Sequence, residues 1–189
     1  AFSYGKSTFV RLTDSSVTTS GTGSAGVEVA GGGKLSAINT QVSTSGTNAP
    51  AINTGTNGGI ITVEGGSYAT TGADSPVIRA AGSVTSSKSS MTSAKAEAVR
   101  VIGTNAVISQ TAVDSTGAPY GVLMTSTSKE ALSAGNAEFT MSGGSLTSHS
   151  GDGIVVTNTK ATIHLTNNAT ITPKDGSNLL TVTANDGKR

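Results

Sequence analysis

The sequence predicts an all-β fold, a parallel β-helix of about seven coils, on three observations. The first is a triplet that recurs along the chain with apolar outer members: Val27-Glu28-Val29, Ile52-Asn53-Thr54, Ile78-Arg79-Ala80, Val99-Arg100-Val101, Val122-Leu123-Met124, Ile154-Val155-Val156 and Leu180-Thr181-Val182. Successive triplets start 25, 26, 21, 23, 32 and 26 residues apart. A period in the twenties marks a solenoid, in which each repeat is one turn of a stacked coil. The second observation is that two further apolar anchors follow each triplet in a fixed order. The third is that polar corners rich in Gly, Ser, Thr and Asn join these anchors, with no helical periodicity between them.

Taken in order, residues 1–7 fit no repeat and read as an N-terminal segment or cap, and the repeat domain runs over 8–184. Each coil opens on a strand with an alternating apolar face: Val10-Arg11-Leu12, Leu35-Ser36-Ala37, Ile61-Thr62-Val63, Val84-Thr85-Ser86, Ala106-Val107-Ile108, Phe139-Thr140-Met141 and Ile163-His164-Leu165. The next anchor is Val17, Val42, Tyr68, Met91, Val113, Leu146 or Ile171, followed by a turn and the triplet. Period-two alternation turns the outer members of each triplet inward and the middle member outward. Equivalent strands one coil apart pair at about 4.8 Å. The inward column is then Val27, Ile52, Ile78, Val99, Val122, Ile154 and Leu180, and the outward one Glu28, Asn53, Arg79, Arg100, Leu123, Val155 and Thr181. The long step holds an inserted loop near 125–136, and residues 185–189 form a tail. An antiparallel sandwich also suits short strands. Near-constant coil length and the unchanging order of anchors favour the helix.

Val, Ile, Leu and Phe make up about a fifth of the 189 residues, yet the formal charge is only +1. A chain with so few large apolar residues folds when they fall at fixed intervals, because each coil buries only a thin slice against its neighbours. The absence of cysteine removes disulfides and thiolate sites,. No apolar run approaches the roughly 18 residues that span a bilayer. Balanced charge without a basic cluster argues against nucleic acid as a partner.

The repeats, as in Val17-Thr18-Thr19-Ser20-Gly21 through Gly26-Val27-Glu28-Val29-Ala30-Gly31-Gly32-Gly33, resemble those of bacterial surface and adhesin-like proteins with a β-helix fold. The resemblance covers about residues 8–184 and implies a single-stranded, right-handed, pectate-lyase-like coil. It also implies a parent protein outside the cell that is often much longer. Right-handedness agrees with the general preference of parallel crossovers.

Candidate chemistry is sparse. Gly21-Thr22-Gly23-Ser24-Ala25-Gly26 spells a dinucleotide fingerprint, but a strand follows where a helix N-terminus is required,. Ser126-Thr127-Ser128-Lys129 fits S-x-x-K without its partner motifs,. His149 stands near Asp152 and several serines, a coincidence expected in a serine-rich chain, and His164 reads as an exposed strand residue,. Asn48, Asp74, Asp152 and Asp175 lie near one corner, too dispersed for the about six to eight oxygens of a calcium site, and suit turns instead,. No metal, cofactor or catalytic residue is expected.

The outward row Glu28, Asn53, Arg79 and Arg100 is the candidate ligand-binding surface, since arginine forks bind carboxylates,. Long polar side chains on a sheet also discourage edge pairing, which needs no ligand. The expected function is a non-catalytic, extracellular structural or adhesive solenoid. Its partners would be a host or cell-surface glycan or protein, or other copies of itself joined end to end as filaments. The alternative is a carbohydrate-active enzyme, lyase or glycosidase, or a glycan-binding module on the same scaffold. An ice-binding solenoid would need a regular threonine array, which the outward row lacks.

Overall fold

A computed structural model of the chain describes residues 1–55, 58–102, 105–109, 111–125 and 136–183. Among them there is no helix, and the strands form three parallel sheets. The first sheet stacks Phe2–Tyr4, Val27–Ala30, Ile52–Thr54, Ile78–Ala80, Val99–Ile102, Tyr120–Thr125, Asp152–Thr157 and Leu180–Thr183. The second stacks Phe9–Thr13, Lys34–Ile38, Ile60–Glu64, Ser83–Ser87, Asn105–Ser109, Asn136–Ser142 and Lys160–Thr166. The third stacks Ser16–Thr19, Gln41–Thr44, Ser67–Thr70, Ser90–Ser93, Ala112–Ser115, Ser145–Ser148 and Thr170–Thr172. The chain visits the three sheets in turn and returns one rung further along. The second and third sheets each stack seven strands in six rung-to-rung steps, and the molecule is a β-solenoid of about six turns. The expectation of about seven coils counts strands rather than steps.

The registers follow the alternation read from the sequence. Val27, Ile52, Ile78, Val99, Val122, Ile154 and Leu180 are successive partners along the first sheet. Val10, Leu35, Ile61, Val84, Ala106, Phe139 and Ile163 are so along the second. Val17, Val42, Tyr68, Met91, Val113, Leu146 and Ile171 are so along the third. The buried residues of these columns form one continuous core, with Val10, Val17, Ile163 and Ile171 packed against it. Every pairing is parallel, which excludes the antiparallel sandwich.

The corner between second and third sheets shows why polar residues recur there. Asp14, Asn39, Lys88 and Asn167 stand at φ of 47, 47, 52 and 53°, the left-handed region that Asn and Asp enter at little cost. After Asp14, Asn39 and Lys88 the next residue donates its hydroxyl to the carbonyl two residues earlier, Ser15 to Thr13, Thr40 to Ile38 and Ser89 to Ser87, and Thr111 does the same to Ser109. Gly65-Gly66 and Gly143-Gly144 replace that arrangement in two coils. A Cβ on Gly66 would lie 2.1 Å from the Thr40 carbonyl oxygen, and one on Gly144 2.4 Å from that of Thr111. The two Gly-Gly-Ser segments therefore match because each corner packs onto the backbone of the coil before it.

Residues 1–7, outside the repeat pattern, contribute a strand: Phe2, Ser3 and Tyr4 pair with Glu28, Val29 and Ala30. The phase explains why no triplet marks it. Ser3 takes the inward position and is buried, while both aromatics face out. One strand ends at Thr125 and the next described one starts at Asn136; residues 126–135, where the inserted loop and the S-x-x-K motif with Lys129 are expected, lie outside the described residues.

Candidate functional site

The outer face of the first sheet carries all four candidate ligand residues in one column. Phe2, Glu28, Asn53, Arg79, Arg100, Leu123, Val155 and Thr181 are partners in sequence along the stack. Beside the first of them, Tyr4 and Ala30 pair on the same face. A shallow concavity of about 760 Å³ lies over this region, walled by Phe2, Tyr4, Glu28, Asn53, Arg79 and Ile102. Small residues, Ala30, Gly55 and Ala81, keep its floor low.

The two aromatics stand at one end. Phe2 is 57% exposed and Tyr4 67%, with ring centroids 6.2 Å apart and planes tilted by 33°. Exposed rings held side by side on a strand supply flat apolar area without large losses of conformational freedom. Sequence reasoning missed both, because the repeat pattern keys on inward apolar residues and these point outward. Their only signal was aromatic type in a chain with three Phe and three Tyr.

The structure brings the four ladder residues together and then divides the arginines. Arg100 is only 15% exposed along its side chain, and its Nε donates to Oε1 of Glu97, itself 3% exposed. A second nitrogen, Nη2, donates to Asp74 Oδ1 at 2.5 Å. Burial alone would lower the Arg100 pKa; the hydrogen bonds and charges of Glu97 and then Asp74 overcome it and hold the group above its usual value. The neighbouring Tyr120 phenol is pushed up, first by burial and then by Glu97, with Arg100 opposing. Arg100 is thus committed to its own chain. Its partner Glu97 comes from the turn two residues before Val99, where the preceding coils carry Pro50 and Pro76. Only alignment of the turns rather than of the strands exposes that carboxylate.

Arg79, one rung away, makes no ion pair with a described residue. Glu28 is likewise outside the ion pairs of the described residues; the Ala1 ammonium, hydrogen-bonded to the Gly26 carbonyl, feels its charge without bonding it. Asn53 stands between them.

The remaining candidates are scattered. His149 pairs with Asp114 at 3.2 Å, whereas Asp152 accepts from the Asn178 amide and the Thr181 hydroxyl, so the two do not form a dyad. His164 lies 3.8 Å from Glu138 on the exposed outer face of the second sheet. Asn48 and Asp74 occupy left-handed corners at φ of 54 and 51°, as turn residues do,. The strand Val27–Ala30 follows Gly21–Gly26 directly, with no helix to receive a phosphate. Among the described residues no group of three or more His, Cys, Asp or Glu is placed to hold a metal ion.

The chain matches no protein-family model, no curated protein and no solved structure.

Proposed function

We propose that the chain is a non-catalytic, extracellular structural and adhesive solenoid that holds saccharide on the outer face of its first sheet. The observation that carries this reading is the concavity itself: two exposed aromatic rings at one end, an arginine without an ion pair among the described residues at the other, and an amide between them. Sugar rings present apolar faces that stack on aromatics, and hydroxyls that amides and carboxylates bond. A solenoid supports such contacts well, because each rung fixes one outward side chain at a set spacing. The coil is taken as right-handed by the general preference of parallel crossovers. The extracellular setting rests on the resemblance of the repeats to those of bacterial adhesin-like proteins.

Retention of soluble polysaccharides on the immobilised chain tests the reading. Retention is expected for the unaltered chain and is expected to fall for Tyr4→Ala and Arg79→Ala. No retention, or retention indifferent to both substitutions, would reject it. Release of new reducing ends, or of the absorbance of unsaturated uronate, would put the carbohydrate-active enzyme in its place.

A further inference from the structure

The charges around the concavity narrow the saccharide class, and this inference rests on the saccharide reading above. Along the ladder the order is aromatic, Glu28, Asn53, Arg79, and then the Arg100 cluster. At a rung spacing of about 4.8 Å, Glu28 lies about 10 Å from Arg79, and Phe2 about 14 Å. Arg79 is the cation of this face that no described carboxylate takes. On its far side the Asp74–Arg100–Glu97 cluster holds two carboxylates against one guanidinium, a net negative charge. The near side holds Glu28, which forms no ion pair with a described residue; the Ala1 ammonium feels its charge but bonds the Gly26 carbonyl instead.

A positive point between two negative ones accepts one anionic group and resists a row of them. We propose that the site takes an oligosaccharide bearing a single carboxylate, with that acidic unit on Arg79 and uncharged units running past Asn53 and Glu28 to stack on Phe2 and Tyr4. Arg79 meets the carboxylate with paired N–H donors. Asn53 and Glu28 bond ring hydroxyls, Glu28 as acceptor. A polyanion charged on every unit sets a carboxylate against Glu28, or against Asp74 and Glu97, whichever way it lies. Specificity of this kind comes from the repulsive neighbours as much as from the attractive arginine.

Titration calorimetry with three trisaccharides tests this, in a β-1,4-glucose and an α-1,4-galactose series. One is neutral, one carries a single terminal uronate, and one is uronate throughout. In at least one series the singly charged trimer is expected to bind about 1.5-fold to fivefold tighter than the neutral one at low salt, the range of an exposed charge pair. The fully charged trimer is expected to bind more weakly than the singly charged one. Arg79→Gln should remove the preference for the acidic trimer over the neutral one. Glu28→Gln should raise the affinity of the fully charged trimer selectively. Equal binding of neutral and singly charged trimers, or tightest binding of the fully charged one, overturns the charge assignment but leaves the saccharide reading standing. Binding of none of them in either series, or binding that Tyr4→Ala leaves intact, overturns the saccharide reading itself.

Discussion

Tyr68 shows how a narrow solenoid interior treats a polar atom. It stands in the third-sheet column between Val42 and Met91, is fully buried, and its hydroxyl has no hydrogen-bond partner among the described residues. An unpaired buried hydroxyl costs its desolvation energy, and an apolar replacement of the same shape is neutral or favourable. Tyr68→Phe is therefore expected to leave stability unchanged at neutral pH or raise it by up to about 2 kcal/mol, measured by urea unfolding. Burial also pushes the Tyr68 phenol above the ordinary value of 10.0. The raised pKa means that the folded chain holds the neutral phenol after the unfolded chain has ionised. That contribution is complete below pH 10 and is lost as pH climbs beyond it. Melting temperatures between pH 8 and 12 should thus fall less steeply for Tyr68→Phe than for the parent. A parallel decline in both would show that this phenol is not held neutral.

At the scale of the strand, the decisive property is which face a residue occupies. Ile78 is buried between Ile52 and Val99, whereas Arg79, its neighbour, faces out. Ile78→Asp places a charge in the core and is expected to unfold or aggregate the chain. Arg79→Asp should leave the circular dichroism spectrum and the melting point nearly unchanged. A second contrast comes from a column of inward hydroxyls in the third sheet: Thr19, Thr44, Thr70, Ser93, Ser115 and Ser148. Thr44 and Thr70 each donate to a carbonyl five residues on, in Ala49 and Ser75, at 2.5 and 2.6 Å, and so tie the strand to the following turn. Ser148 is equally buried but has no partner among the described residues. Thr70→Val is expected to cost about 1–2 kcal/mol and Ser148→Ala about nothing. Equal losses in chemical denaturation would mean that the column acts through packing and not through its hydrogen bonds.

At the scale of the whole molecule, a stack of coils buries each slice only if another slice lies against it. The inner rungs of the first sheet meet that condition, and their inward residues are buried. The last rung does not: Leu180 is 47% and Val182 71% exposed, although both stand in inward positions. An exposed parallel edge with apolar inward residues is a template for another strand layer. If a second copy of the chain supplies that layer, the contact is heterologous and open-ended and builds short filaments. Sedimentation velocity should show species growing with concentration, and Val182→Asp should abolish them. A strict monomer at high concentration would rule out end-to-end association through this edge.

The sequence by itself determined the repeat, the three inward columns and the outward ladder, because each rests on period-two alternation carried one coil further by parallel pairing. Ile52 to Ile78 to Val99 is legible without coordinates, since a buried strand favours apolar residues at every second position. What only the tertiary structure decided lies where coils meet through space at positions of no fixed chemistry. Ser3 in an inward position conceals the first strand, so the aromatics at the end of the concavity had no pattern to reveal them. Arg79 and Arg100 look alike as middle members of successive triplets. Their difference comes from Glu97 in the adjoining turn and Asp74 one coil away, carboxylates that reach only one of them. A local pattern fixes which face a side chain occupies; the charge left on that face depends on what the neighbouring turns neutralise.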